Sequence, residues 1–254
     1  DRHWMEILSI ARDTLVDIPA CPRLDGTVSG AVNGAMFNSA FSRGGGPERD
    51  LTSAVACTMA TVEYNTGVHI TDHVVLDMAG VVAVVDALGG VHVDLPEPVV
   101  GNHHVDLDLP GGPQVLDGWQ SLNFIRARGG SGMGLHTGSD LMRIERQQFF
   151  LNAVMATVVD QDLMTNLAVL YRVATGALNA LTTSPGLASP VAVANLGRAM
   201  ADMDPSHVVF TVVPVLPAPS DPHRVVWVQP DVGQMWERIA AGEAPDFPIN
   251  ERTD

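Results

Sequence analysis

Between residues 121 and 150 stand Arg126, Arg128, Arg143 and Arg146 against only Asp140 and Glu145, a local net charge of +2. The rest of the 254-residue chain sets ten arginines against 27 carboxylates, net -17. Lysine is absent altogether, so Schiff-base chemistry, a Ser-Lys dyad and a phosphate-loop lysine are all closed. Any cationic chemistry here is guanidinium chemistry. A positive island in an acidic chain points to a focused anion site, against the plainer reading of surface ion pairs such as Glu145 with a neighbouring arginine.

Spacing sharpens that choice. In an extended Phe124–Arg128 segment, Arg126 and Arg128 point to one side. On a helix from Ser139 to about Val159, Leu141, Ile144, Leu151 and Met155 form an apolar arc, and Arg143, Gln147, Phe150 and Val154 form the adjoining stripe. A guanidinium bordering an apolar core must meet an anion, because an unpaired buried charge costs several kcal/mol; otherwise Arg143 pairs with Asp140 or reaches out to solvent. Three converging guanidiniums can clamp a diphosphate, since each is a rigid donor fork that stays charged when dehydrated. Arg12, directly after a strand, is a fourth candidate if strand ends gather at one sheet edge; taken alone it reads as a partner of Asp13 or Asp17.

Other chemistries find less support. The nine histidines form no HExxH-like signature, and His103-His104 in a polar arm read as solvent-exposed. Ser9, Ser121 and Ser139 lack a G-x-S-x-G context. The glycine runs at 44–46 and 129–134 lack the strand-to-helix setting of nucleotide loops and read as flexible. A net charge of -15 repels a polyanion, which excludes a nucleic-acid-binding surface. Cys21 and Cys57 lack zinc-knuckle or redox spacing, leaving two buried thiols or one disulfide, with the even count favouring the disulfide.

The elements that must position these residues alternate as in one α/β domain. Strands are expected at Trp4–Ile10, His73–Met78, Val91–Leu95, His207–Val213 and Val225–Val228. Helices are expected from Asp50 to about Tyr64, stopped by Gly67, and at Ala79–Leu88, Gly118–Asn123, Leu163–Leu181, Pro190–Ala201 and Asp231–Ala241. The near-continuous Val and Leu of the β-α-β run from His73 to Leu95 suggest a sheet covered on both faces. Residues 96–113 read as a surface arm or hairpin, and 129–138 as mobile. The apolar stretch Val74–Leu95 is broken by Asp77, Asp86 and Asp94, so no membrane span is read from it.

In order along the chain, these segments resemble the LytR-CpsA-Psr family of cell-wall glycopolymer transferases. The matching stretches are Leu8 to Thr14 (LSIARDT), Val32 to Ala35, His73 to Asp77, Val84 to Val91 (VVDALGGV), Leu107 to Pro110, Leu116 to Gly118, Phe124 to Arg128 (FIRAR), and Asp140 through Arg143 to Gln148, within about residues 6 to 215. Each is weak alone, and the ordered set is specific. The resemblance implies a three-layer α/β/α sandwich with a central mixed sheet and a hydrophobic pocket for a polyprenyl chain, residues 1–254 being a single catalytic domain. By motif position Arg12, Arg126 and Arg128 inherit catalytic roles, and Arg12, Arg126, Arg128, Arg143 and Gln147 hold the pyrophosphate.

The implied reaction is Mg²⁺-dependent transfer of a polyprenyl-pyrophosphate-linked glycopolymer to a peptidoglycan acceptor, with pyrophosphatase side activity, at the extracytoplasmic face of a membrane reached by an upstream anchor. Apolar helices such as Leu151–Val159 and Leu167–Leu181 would line the lipid pocket. The Mg²⁺ ligands are expected upstream of Asp1, on a strand that the family places before the Arg12 segment. The family's lysine two residues before Asn33 is Ala31 here, which makes a second reading conceivable: a polyprenyl-phosphate-binding or regulatory envelope protein without efficient turnover. A Cys21–Cys57 disulfide would tie the loop after Arg12 to the helix from Asp50, whereas a cytoplasmic sugar-phosphate enzyme would need both thiols free. Arginine without lysine, with abundant Ala, Val and Gly, looks like the coding bias of a GC-rich actinobacterial genome, which makes arabinogalactan a candidate glycopolymer.

Overall fold

A computed structural model describes residues 4–137, 140–160, 167–201, 203–204 and 207–245. The chain forms two compact units, Asp1–Thr71 with Asp204–Asp254, and Asp72–Met203. The fold is mixed α/β, with seven separate small sheets among the described residues.

In the first unit, strand Met5–Ser9 pairs in parallel with Val208–Val212, while Leu15–Ile18 runs antiparallel to Val32–Met36 and Val215–Ala218 to Asp221–Trp227. Helix Leu51–Thr66 begins at Asp50, whose extended backbone lets its carboxylate accept the Ser53 N–H at 2.7 Å, and it ends where Gly67 turns left-handed at φ 69°. The glycine run at 44–46 is not a free loop. Gly44 and Gly45 close helix Ser39–Gly45, and a Cβ on Gly44 would stand 2.5 Å from both the Cys57 Cβ and the Ser53 carbonyl oxygen. Glycine here lets two helices approach closely, a packing role that local sequence does not announce.

Cys57 on that helix is joined to Cys21 by a disulfide with Cα atoms 5.3 Å apart. Val16, Ile18 and Ala40 pack around the bridge. A second cluster gathers Val213, Val232 and Trp236, with the rings of Trp227 and Trp236 5.6 Å apart.

In the second unit, Val91–Leu95 alternates cleanly: Val91, Val93 and Leu95 are buried while His92 and Asp94 face out, and the strand pairs antiparallel with Gly112–Leu116. Val74–Leu76 pairs antiparallel with Leu181–Thr183. The two strands flanking helix Met78–Leu88 therefore take separate antiparallel partners, in place of a β-α-β unit covered on both faces. The period-2 alternation of V-H-V-D-L is the signal for a half-buried strand.

The arm contains the hairpin Val99–Gly101 with Asp108–Leu109, and Gly130–Ser131 adds a third strand to it. The stretch expected to be mobile is thus paired as far as Ser131 and continues into a 3-10 turn, Leu135–Thr137; Gly138 lies outside the described residues. Gly132 adopts φ 84°, and a Cβ there would fall 2.1 Å from the Pro98 carbonyl oxygen, so backbone contact rather than freedom accounts for this glycine. The core of the unit packs Phe124, Leu116, Val91 and Leu135 with Phe150 of the long helix Asp140–Asp160.

Candidate functional site

Helix Gly118–Arg126 opens with a reciprocal cap. The Asp117 carboxylate accepts the Gln120 N–H at 2.8 Å, and the Gln120 side chain accepts the Asp117 N–H at 3.0 Å. Its start is held close to helix Met78–Leu88: Gly118 donates its N–H to Asp86 at 2.9 Å, and a Cβ on Gly118 would meet the Val82 carbonyl oxygen at 2.6 Å. Ser121, Leu122 and Phe124 form the buried face, with Phe124 fully enclosed.

The helix includes Arg126, which corrects the expected extended Phe124–Arg128 segment. The reason lies in the cap and in the buried face, which together carry helical conformation past Asn123. The chain leaves it at Ala127, at φ -56° and ψ 136°, with the Ala127 side chain fully buried. Arg126 and Arg128 therefore flank a buried pivot at a helix end. Both are exposed, and among the described residues neither guanidinium makes a hydrogen bond or ion pair.

Both arginines line a cavity of about 580 Å³ that Arg143 and Gln147 of helix Asp140–Asp160 also line. The opposite wall brings Leu76, Asp77, Met78 and Val81, and the arm contributes Asn102 and His104. Among the described lining residues the carboxylate is Asp77, and it is engaged in capping helix Met78–Leu88 through the Gly80 N–H at 2.7 Å. Arg126 and Arg128, unpaired among the described residues, present donors that fit an anionic group carrying more than one negative charge.

A second cavity of about 280 Å³ shares Leu76, Val81, Ile125 and Gln147 with the first and is otherwise lined by Val84, Val85, Phe150, Leu151 and Val154. The two together make an amphiphile-shaped space, with cations at one end and aliphatic walls at the other. Its walls come from helix Met78–Leu88 and from the stripe Gln147, Phe150 and Val154. None of the described side chains of helix Leu167–Ala180 lines it.

Of the residues singled out in the sequence, Arg126, Arg128, Arg143 and Gln147 come together. Arg12 stands after strand Met5–Ser9 in the other unit, with its Nε 3.4 Å from Asp13 and its side chain 41% exposed. Three residues at the cavity are given no role there by the sequence reading. His104 lines the cavity although a polar arm suggests plain solvent exposure. Asn102 lies beside it without a motif of its own. Asp77 sits where an N-cap belongs, a signature visible in Asp77-Met78-Ala79-Gly80 but hidden by extending the strand to Met78.

Arg146, which the sequence counts in the positive island without a role of its own, is 2% exposed and donates to the carbonyls of Ala127 and, at 3.2 Å, Met133. Burial, and secondarily the nearby Arg143 charge, push its pKa below the usual guanidinium value. Among the described residues no three His, Cys, Asp or Glu side chains gather to hold a metal ion, and the cavity's own carboxylate does not make a divalent-cation site by itself.

The model of the LytR_cpsA_psr family matches residues 1–240. The chain belongs to the LytR-CpsA-Psr family. It is 31% identical over 180 residues to the probable cell wall biosynthesis protein LcpB of Corynebacterium glutamicum, covering 71% of this chain and 37% of that protein. It is 30% identical over 155 residues to TagV of Bacillus subtilis, a polyisoprenyl-teichoic acid–peptidoglycan teichoic acid transferase, covering 59% of this chain and 34% of TagV. The chain thus spans about a third of the length of these relatives. The solved LytR-Csp2A-Psr enzyme of Actinomyces oris superposes with a TM-score of 0.70 at 20% identity, over 94% of this chain and 82% of that one, which establishes a shared fold. Among the described residues of this family member, no helix is long and apolar enough to cross a membrane.

Proposed function

We propose that this chain is a phosphotransferase that moves a polyprenyl-pyrophosphate-linked glycopolymer onto a peptidoglycan hydroxyl, with pyrophosphatase side activity when water is the acceptor. The observation that carries the reading is the pair Arg126 and Arg128, two exposed guanidiniums without a protein anion among the described residues, at the mouth of an aliphatic cavity. The arginines and Gln147 hold the diphosphate oxygens, and the aliphatic walls receive the start of the lipid. The acceptor oxygen bonds to the glycan-bearing phosphorus, the bond to the carrier's phosphate breaks, and polyprenyl phosphate leaves with its charge neutralised by guanidiniums while the acceptor's proton passes to a phosphate oxygen of that leaving group.

The finer features belong to the same proposal. The chain carries the family's catalytic domain, of the α/β/α sandwich class, and by their motif positions Arg12, Arg126 and Arg128 each have a catalytic role. Mg²⁺ takes part with ligands drawn from outside this cavity. The protein works at the extracytoplasmic face of the membrane, where an oxidising environment suits the Cys21–Cys57 bridge. Arabinogalactan is the candidate polymer. Names of relatives support the transferase reading: LcpB is called a probable cell wall biosynthesis protein, and TagV a teichoic acid transferase.

Ala31, where the family commonly carries lysine, favours one second reading, a carrier-binding protein without efficient turnover. The test is incubation with Mg²⁺ and a polyprenyl pyrophosphate, following release of polyprenyl phosphate with and without EDTA. Metal-dependent release is expected. Tight binding without turnover supports the second reading and makes Ala31→Lys the first reversion, while absence of both binding and release overturns the proposal.

A further inference from the structure

A helix leaves its last carbonyls without intrahelical donors, and at the end of helix Gly118–Arg126 the backbone that bears the two cavity arginines presents the carbonyls of Ile125, before Arg126, and of Ala127, after it. Two adjacent residues of helix Asp140–Asp160 supply the donors. Gln147 reaches the Ile125 carbonyl with its Nε2 at 3.4 Å, and Arg146 donates through Nη2 to the Ala127 carbonyl and through Nη1 to Met133 at 3.2 Å. The carbonyls immediately before and immediately after Arg126 are thus both fastened to one helix. Ala127, the pivot where helix turns to extended backbone, is fully buried beneath them.

Arg146 itself is 2% exposed, so it touches no ligand in the cavity. Its Nε is buried without a hydrogen-bond partner, and no carboxylate pairs with the guanidinium among the described residues. Held by neutral carbonyls alone, it keeps its positive charge behind the arginine fork. The free carbonyls of a helix C-terminus already favour a cation, and an anion bound beyond Arg126 and Arg128 would be attracted by the same buried charge.

We infer that Arg146 is a positioning residue for the anion site: it fixes the Ala127 pivot so that Arg126 and Arg128 converge, and adds a buried positive charge behind them. The inference deepens the function proposed above and rests on it. It assigns to the diphosphate an indirect cation that the ligand never contacts, in addition to the three guanidiniums that line the cavity.

The test uses the full chain with geranylgeranyl pyrophosphate as probe, measuring affinity by calorimetry in the wild type, Arg146→Lys, Arg126→Ala and the double variant. Lysine keeps the charge but cannot span both carbonyls with a planar fork. Arg146→Lys is expected to weaken binding about tenfold, and to weaken it less than about twofold when Arg126 is already alanine, because contacting partners are non-additive. Equal losses in both backgrounds, or none in either, overturn the positioning role while leaving the proposed function intact. A wild type that does not bind the probe overturns the proposed function and this inference with it. Should Arg146→Lys fail to fold, Arg146→Gln, which retains a neutral donor, is put through the same cycle and judged by the same two outcomes.

Discussion

Arginines do different work in the two units. In the first, Arg238 donates through Nη2 to both Glu6 carboxylate oxygens at 2.8 and 2.9 Å, Arg224 reaches Asp13 at 3.7 Å, and Arg23 is bound to the carbonyls of Arg43 and Gly44. Their charges and donors are consumed in tying strands and helices together. In the second unit Arg126 and Arg128 have no such partner among the described residues, although the chain as a whole carries 29 carboxylates to 14 arginines. Leaving two guanidiniums unpaired, with the cavity's Asp77 engaged in a helix cap, keeps their donors available to a bound anion. A carboxylate within reach would compete with a bound anion for the same donors.

That contrast yields a sharp expectation for the second unit. Arg126→Ala or Arg128→Ala should lower turnover about a thousandfold and weaken diphosphate binding. The melting temperature should stay within the small range typical of exposed sites. Steady-state kinetics beside a thermal melt would decide it, and unchanged activity in both variants would remove the clamp. Arg12 tests whether the contrast follows the unit boundary. It lies in the first unit and has Asp13 as a neighbour, whereas the proposed function gives it a chemical role. Arg12→Ala should cost about a hundredfold in kcat with little change in stability. A variant that melts early but turns over normally would return Arg12 to the structural class.

The convergence of Arg126 and Arg128 is legible in the sequence, but its mechanism is not. Alternation in F-I-R-A-R looks like a strand, and the structure reaches the same convergence with a helix end and one extended residue at Ala127. Local pattern cannot separate the two, because what prolongs the helix is burial of Phe124 against Phe149 and Phe150 from another element. Gly44 and Gly132 are misread for a related reason: glycine announces freedom locally, whereas here it answers to backbone and side-chain atoms distant in sequence. His104 carries no local signal at all, since only the folding back of the arm brings it to the cavity. Conversely the Asp50 cap and Gly67 stop are read correctly because both act within one turn of their own helix.

The smallest expected effect belongs to the first unit and probes the other half of the contrast. Glu6 is 4% exposed in its side chain, accepts both Arg238 contacts and is 3.3 Å from the Thr211 hydroxyl, so it joins strand Met5–Ser9, strand Val208–Val212 and helix Asp231–Ala241. Glu6→Gln keeps the volume and one acceptor while deleting the charge. Arg238, 24% exposed, can recover part of its hydration, so the cost should be about 2 kcal/mol, below the full penalty of an uncompensated buried ion. Denaturant melts should show that loss, and kcat measured well below the melting temperature should be unchanged. A fall in kcat without a fall in stability would mean that the carboxylate-paired arginines also shape the anion site, and the division of labour between the two sets of guanidiniums would fail.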